Sequence, residues 1–184
     1  MTLLYADIVG FTQYSNDNGA RKVVEMLSRL FTAFDKECSR LGLYKLYTIG
    51  DCYVVMGFLD QNNRKSPAEE ANDVTLLAIS MIKIINNVRE QLGIDLNMRI
   101  GIHTGDVIGG VIGTEIVRFD IYGKDVVIAN KMESGGTKGK INVSEDTRKL
   151  LESNETCNYS FVENKEIFVK TTQKKHMSYF LGFE

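Results

Sequence analysis

The sequence predicts an α+β fold: a ferredoxin-like βαββαβ core with strand and helix extensions on its C-terminal side. Three observations carry this expectation. Short apolar runs end at glycine or polar residues, as strands do. Two longer stretches repeat apolar residues every three to four positions, as amphipathic helices do. Their order is strand, helix, strand, strand, helix, strand, the arrangement that lays two helices on one face of an antiparallel sheet.

The elements follow in chain order. Thr2 to Ile8 reads as a buried strand ended by Gly10, and Ser15 to Asn18 as a polar link. Val23, Met26, Leu27, Leu30, Phe31 and Phe34 recur at helical spacing. Leu43 to Tyr47 and Cys52 to Phe58 form a hairpin around Gly50-Asp51. After a polar loop, Asp60 to Ser66, Pro67 with Glu69 and Glu70 suits a helix start. Val74, Leu77, Ala78, Met81, Ile84, Ile85 and Val88 continue that helix. Leu96, Met98, Ile100 and Ile102 then alternate with polar residues and glycine, the period of a strand. The extension reads as a glycine-rich hairpin (Gly105 to Gly113), a strand at Arg118 to Tyr122 and a helix from Val126 to Ser134. A strand at Ile141 to Val143, a short helix at Glu145 to Leu151, and strands at Tyr159 to Val162 and Ser178 to Leu181 complete it. No repeat, low-complexity tract or linker divides the chain, so residues 1–184 are expected to form one domain.

Bulk properties narrow the function. The 184 residues are 43% hydrophobic, enough for one core. A formal charge of −2, with no basic patch, argues against nucleic acid as a partner. Cys38, Cys52 and Cys157 are odd in number and lack metal-ligand spacing, which fits a reducing compartment. The longest apolar runs are strand-length, so no segment is expected to span a bilayer. Met1 leads straight into a strand-like run, without the basic and apolar regions of a signal peptide. The expectation is a cytoplasmic segment of a larger protein, lacking a leader or linker of its own.

Asp7 stands at the carboxyl end of the first strand and Asp51 in the hairpin turn. In a ferredoxin-like sheet the first strand is central, beside that hairpin, so the two carboxylates can share divalent cations. Two ions about 3.5–4 Å apart can activate an attacking oxygen and stabilise a leaving one. Spacing alone does not separate this from Asp7 as a loop cap and Asp51 as an ordinary turn residue. Ile8-Val9-Gly10-Phe11-Thr12, a glycine turn ahead of a helix, can offer backbone N–H groups to phosphate. One glycine is a weak signal, strengthened by its position directly after Asp7.

Several segments together resemble class III adenylate and guanylate cyclases. Leu4 to Thr12 (LYADIVGFT) is similar to the opening motif of that family, and Tyr47 to Tyr53 (YTIGDCY) to its second metal motif. Asn97 to Gly105, Gly110 to Gly113, Phe119 to Gly123 and Ala129 to Ser134 continue the likeness in order. The resemblance implies the class III cyclase fold. Asp7 and Asp51 would bind two Mg²⁺ or Mn²⁺ ions with help from the Ile8 carbonyl. The Phe11 and Thr12 amides would hold the β- and γ-phosphates. Arg99 would neutralise the pyrophosphate leaving group, the alternative being a solvated strand residue. Lys170, Lys174 and Lys175 lie where the family often has a phosphate-contacting lysine on a late loop; a solvated basic loop is the other reading.

Departures from the family pattern define which half this is. Family sites form at a dimer interface, where one half supplies metal carboxylates and the other an Asn and an Arg for ribose and transition state. Those positions read Val127 and Lys131 here. Valine cannot hydrogen-bond a ribose, and lysine lacks the planar fork of arginine. The base-reading positions fall on Tyr47 and Asp120, which fit neither the adenylate nor the guanylate pattern. The resemblance therefore implies the metal-bearing half of a heterodimer, its second pocket degenerate, with a complementary cyclase domain possible in the same polypeptide. Likeness to protist membrane guanylate cyclases favours GTP over ATP, and implies a location at the cytoplasmic face of a membrane through other parts of the protein. A catalytically silent, regulatory or dimerisation domain is the alternative, against which the intact Asp7/Asp51 pair argues. A polymerase-palm relative would share the metal pair but not the Asp120 to Ser134 likeness.

Overall fold

Capping and apolar spacing set the two long helices. In α3 (Pro67–Leu92), Ser66 accepts from the Glu69 N–H while Glu69 accepts from the Ser66 N–H, and Gly93 ends the helix in a left-handed conformation. Helix α2 (Ala20–Arg40) buries Met26, Leu30, Phe34 and Cys38, each one turn from the next. The computed structural model describes residues 1–57, 65–115, 117–155 and 158–183. Asp60 to Arg64 of the expected polar loop, Phe58 and Cys157 therefore lie outside the described residues.

The core strands are β1 (Thr2–Val9), β2 (Tyr44–Ile49), β3 (Cys52–Met56) and β4 (Asn97–Thr104). Beyond them lie β5 (Ile108–Ile112), β6 (Arg118–Tyr122), β7 (Ile141–Ser144), β8 (Ser160–Val169) and β9 (Lys174–Gly182). Seven strands form one sheet in the order β2-β3-β1-β4-β7-β9-β8, so β1 is central with antiparallel β3 and β4 beside it. Its first four strands have the ferredoxin-like order. Alternation along β1 sorts the two faces. Leu4, Ala6 and Ile8 pack with Met98, Ile100 and Ile102 beneath α2 and α3. Leu3 and Tyr5 face Ile121 and Ala129 on the other side, the latter from α4 (Lys124–Ser134). Among the described residues no helix is long and apolar enough to cross a membrane.

Four details differ from the sequence expectation. The link at Ser15 to Asn18 is mostly helix: α1 (Phe11–Asp17) starts directly after Gly10, whose φ of 93° turns the chain out of β1. Its polar face hid it. The glycine-rich stretch is not a hairpin by itself, because β5 pairs with β6 as a separate two-stranded sheet. The sheet is mixed, since β7 runs parallel to β4. Finally, β8 and β9 are longer than their apolar ends suggested, with a register shift between Glu163 and Glu166. Glu163 to Glu166 on edge strand β8 are all polar and interrupt its apolar signal.

Candidate active site

Strand pairing builds the site. Asp7 on β1 lies opposite Arg99 on β4 in the register. On the other side Ala6 is paired with Tyr53, so the β2–β3 turn carrying Asp51 reaches the same end of the sheet. The Asp51 carboxylate accepts from the Ile8 backbone N–H and lies within hydrogen-bonding reach of the Asp7 carboxyl. The pair that sequence could only suggest is thus together.

Asp7, Ile8, Val9, Gly10, Phe11, Thr12, Asp51 and Arg99 line one open cleft, joined by Gln13. Every residue expected to hold metal or triphosphate, apart from the late lysines, is there. The first turn of α1 carries no acidic residue and its N-terminus no side-chain cap, leaving its N–H groups toward the cleft without a competing carboxylate. Burial pushes the Asp51 carboxyl above its ordinary value, and the Asp7 charge pushes it further. Two carboxylates crowded in this way suit a divalent cation that takes oxygen ligands.

Arg99 joins the cleft to α4. Its Nη2 donates to Asp7 Oδ2 at 3.3 Å and its Nε to Glu133 Oε1 at 2.5 Å. A solvated strand residue would make neither bond. Burial raises the Glu133 carboxyl above its ordinary value; the Arg99 charge opposes this, and the Asp7 and Asp51 charges reinforce it. Glu133 is the member of the site that sequence reading missed. It stood in the quoted Ala129 to Ser134 segment, but nothing local tells that it pairs with a residue 34 positions earlier.

The second-pocket residues fall into two groups. The Tyr47 hydroxyl is 3.4 Å from that of Tyr5, and the Arg118 guanidinium sits 4.7 Å from the centre of its ring. Asp120 accepts from the Ile121 N–H and has Arg118 at 3.9 Å. Burial, then the Tyr47 hydroxyl, drive the Tyr5 phenol upward, and the Asp120 charge adds to it. Val127 packs elsewhere, against Ile128, Met132, Ile167 and Val169, while Lys131 is exposed one turn along α4. The late lysines are not a loop cluster. Lys170 starts the tight β8–β9 turn, Lys174 and Lys175 belong to β9, and Lys175 is tied to Glu166 at 2.7 Å. None of the three lines the Asp7–Asp51 cleft.

The chain matches the adenylate and guanylate cyclase catalytic domain family over residues 1–182. It is 46% identical over 154 residues to guanylate cyclase alpha of Plasmodium falciparum, an alignment covering 82% of this chain and 4% of that protein. The chain thus spans a small part of that relative. In structure it is similar to the adenylyl cyclase CyaB of P. aeruginosa, with a TM-score of 0.89, 25% identity and coverage of 100% and 93% of the two chains. It is also similar to the guanylate cyclase domain of RhGC from Catenaria anguillulae in complex with GTP, with a TM-score of 0.85, 26% identity and coverage of 98% and 94%. Family match, fold and the gathered cleft agree: the chain belongs to the adenylate and guanylate cyclase catalytic domains.

Proposed function

We propose that this chain is the metal-bearing half of a cyclase that converts a purine nucleoside triphosphate, GTP in preference to ATP, to its 3′,5′-cyclic monophosphate and pyrophosphate. The observation that carries this is the meeting of Asp7, Asp51 and Arg99 in one cleft beside the Ile8–Thr12 backbone. Asp7, Asp51 and the Ile8 carbonyl would hold two Mg²⁺ or Mn²⁺ ions. Among the described residues no group of three or more His, Cys, Asp or Glu side chains could hold a metal, so substrate oxygens and water would complete the coordination. Bound there, the ions would supply Lewis acidity and neutralise phosphate charge.

The chain itself supplies the phosphate contacts. The reaction is an in-line displacement in which the ribose 3′-oxygen bonds to the α-phosphorus, the bond to the β-phosphate oxygen breaks, and pyrophosphate leaves. The hydroxyl proton passes to an aspartate or to water. Backbone N–H groups at Phe11 and Thr12 orient the β- and γ-phosphates. Arg99 donates from the cleft wall to the leaving pyrophosphate, where charge develops. The groups that orient ribose come from a partner domain, since Val127 and Lys131 cannot supply them. A partner surface is available: Ile108, 75% exposed, and Ile112, 55% exposed, share one face of β5, where Tyr122 is paired opposite Ile108. GTP is preferred because the 46% identical relative is a guanylate cyclase.

The test mixes this chain with candidate partner domains and measures cyclic GMP and cyclic AMP separately. Asp51→Ala should abolish both products while the circular dichroism spectrum stays native. Unchanged turnover refutes the metal assignment. A silent, purely regulatory domain would yield no cyclic nucleotide with any partner and would bind Mn²⁺ equally as wild type and as Asp7→Asn.

A further inference from the structure

Arg99 is divided between two carboxylates with different tasks. The bond to Glu133 is short, 2.5 Å from Nε, and the bond to Asp7 is long, 3.3 Å from Nη2. Asp7 sits directly across the strand pair from Arg99, on the same face of the sheet and within reach of the guanidinium. A guanidinium prefers a two-bond fork with a single carboxylate. Here the fork is pulled open from the side of α4.

The pull has a rigid origin. Arg99, Gly101 and His103 share the face of β4 that α4 covers. A Cβ on Gly101 would lie 1.9 Å from the Glu133 backbone nitrogen, so glycine lets the helix backbone rest on the strand there. At the other end of α4, His103 Nε2 is 3.2 Å from Asp125 Oδ1, and Asp125 Oδ2 accepts from the Asp106 N–H at 3.0 Å. Glu133 itself is 6% exposed. Held at both ends, α4 cannot carry Glu133 after Arg99 if the guanidinium moves toward Asp7.

We propose that Glu133 is a positioning residue that holds Arg99 off Asp7, leaving Asp7 open to a divalent ion and the guanidinium turned to the triphosphate. This rests on the reading of Asp7 and Asp51 as metal ligands. Without Glu133, Arg99 closes its fork on Asp7 and competes with the ion for the same oxygens. The competition needs Arg99, and that makes it measurable.

The experiment titrates Mn²⁺ alone into the whole chain, by calorimetry or by the loss of free-ion electron paramagnetic resonance signal. Wild type, Glu133→Ala, Arg99→Ala and the double variant are compared. Glu133→Ala should bind about tenfold more weakly, within the roughly 10–100-fold range for losing a partner that orients a metal ligand. Arg99→Ala should bind no more weakly than wild type, and the double variant should match Arg99→Ala. Simple loss of a nearby negative charge would weaken binding in both backgrounds, and so would disorder of α4; either result overturns the proposal, as does unchanged affinity in Glu133→Ala. Glu133→Gln keeps the side-chain shape and an acceptor for Nε, so it should lose less than Glu133→Ala; equal loss also overturns the role. Asp51→Asn separates the two levels. If it keeps full Mn²⁺ affinity, the metal site falls and this inference with it; if it loses Mn²⁺ while Glu133→Ala does not, only the role of Glu133 falls.

Discussion

The cleft around Asp7 and the separate surroundings of Tyr47 and Val127 are built on one sheet, but opposite kinds of side chain fill them. In the cleft, two carboxylates crowd each other, and burial and the Asp7 charge push the Asp51 carboxyl upward. Outside the cleft the Tyr47 ring lies against Arg118, and Val127 is packed among Ile128, Met132, Ile167 and Val169. One region keeps an unfavourable arrangement of charge; the other has settled into packing. Unfavourable charge of this kind is characteristic of sites that bind or react, which supports the proposal that the cleft is the working site of this chain.

The largest effect that sharpens the contrast is at Arg99. In an active assembly Arg99→Ala should lower turnover about 10²–10³-fold, the usual cost of removing one donor aimed at developing charge. Cyclic nucleotide formation at saturating metal is the measurement, and a loss of less than about tenfold would remove Arg99 from the reaction. A smaller effect appears in stability. The Asp51 carboxyl is raised in the folded chain, so the folded state holds that proton more tightly than the unfolded state does. Stability is therefore lost as pH rises from the ordinary carboxylate range through the raised folded value. Asp51→Asn removes it. In chelator, this variant should melt above wild type at neutral pH, with the gap closing as pH falls toward the ordinary carboxylate range. A lower melting point at neutral pH would mean that the pair is not strained.

The same contrast explains what could be read in advance. Asp7 and Asp51 were legible because each sits at a strand end or turn whose signal is local, and the order of elements puts those ends together. Arg99 was marked only by the family resemblance, because a polar residue alternating with apolar ones is by itself an ordinary strand position. Glu133 was not legible, because its partner stands 34 positions earlier on β4 and its own helix has no strong apolar stripe to show which side faces inward. Helix α1 was hidden by Ser15 to Asn18, residues as common in links as on a solvated helix face. The pairing of β5 with β6 was hidden by glycines, which let Gly105 to Gly113 pass for a complete turn-bearing unit. Tyr47, Asp120, Val127 and Lys131 were marked only by departing from the family pattern, and their separation into two groups needed coordinates.

The smallest effect tests the packed side. If Val127 has been absorbed into packing, Val127→Asn should destabilise the fold, opposite in sign to Asp51→Asn. The cost should be about 1 kcal/mol, typical of a substitution at a partly buried contact. That lowers the melting midpoint by about 2–4 °C in a domain of this size. Mn²⁺ affinity should not change, because Val127 packs toward Ile167 and Val169 of β8 while the cleft is at the ends of β1 and β4. A variant that melts higher would show that valine is not the packed choice at this position. A variant that binds Mn²⁺ differently would show that α4 transmits changes from this face to the cleft, and that the two regions are coupled through the helix that carries Glu133.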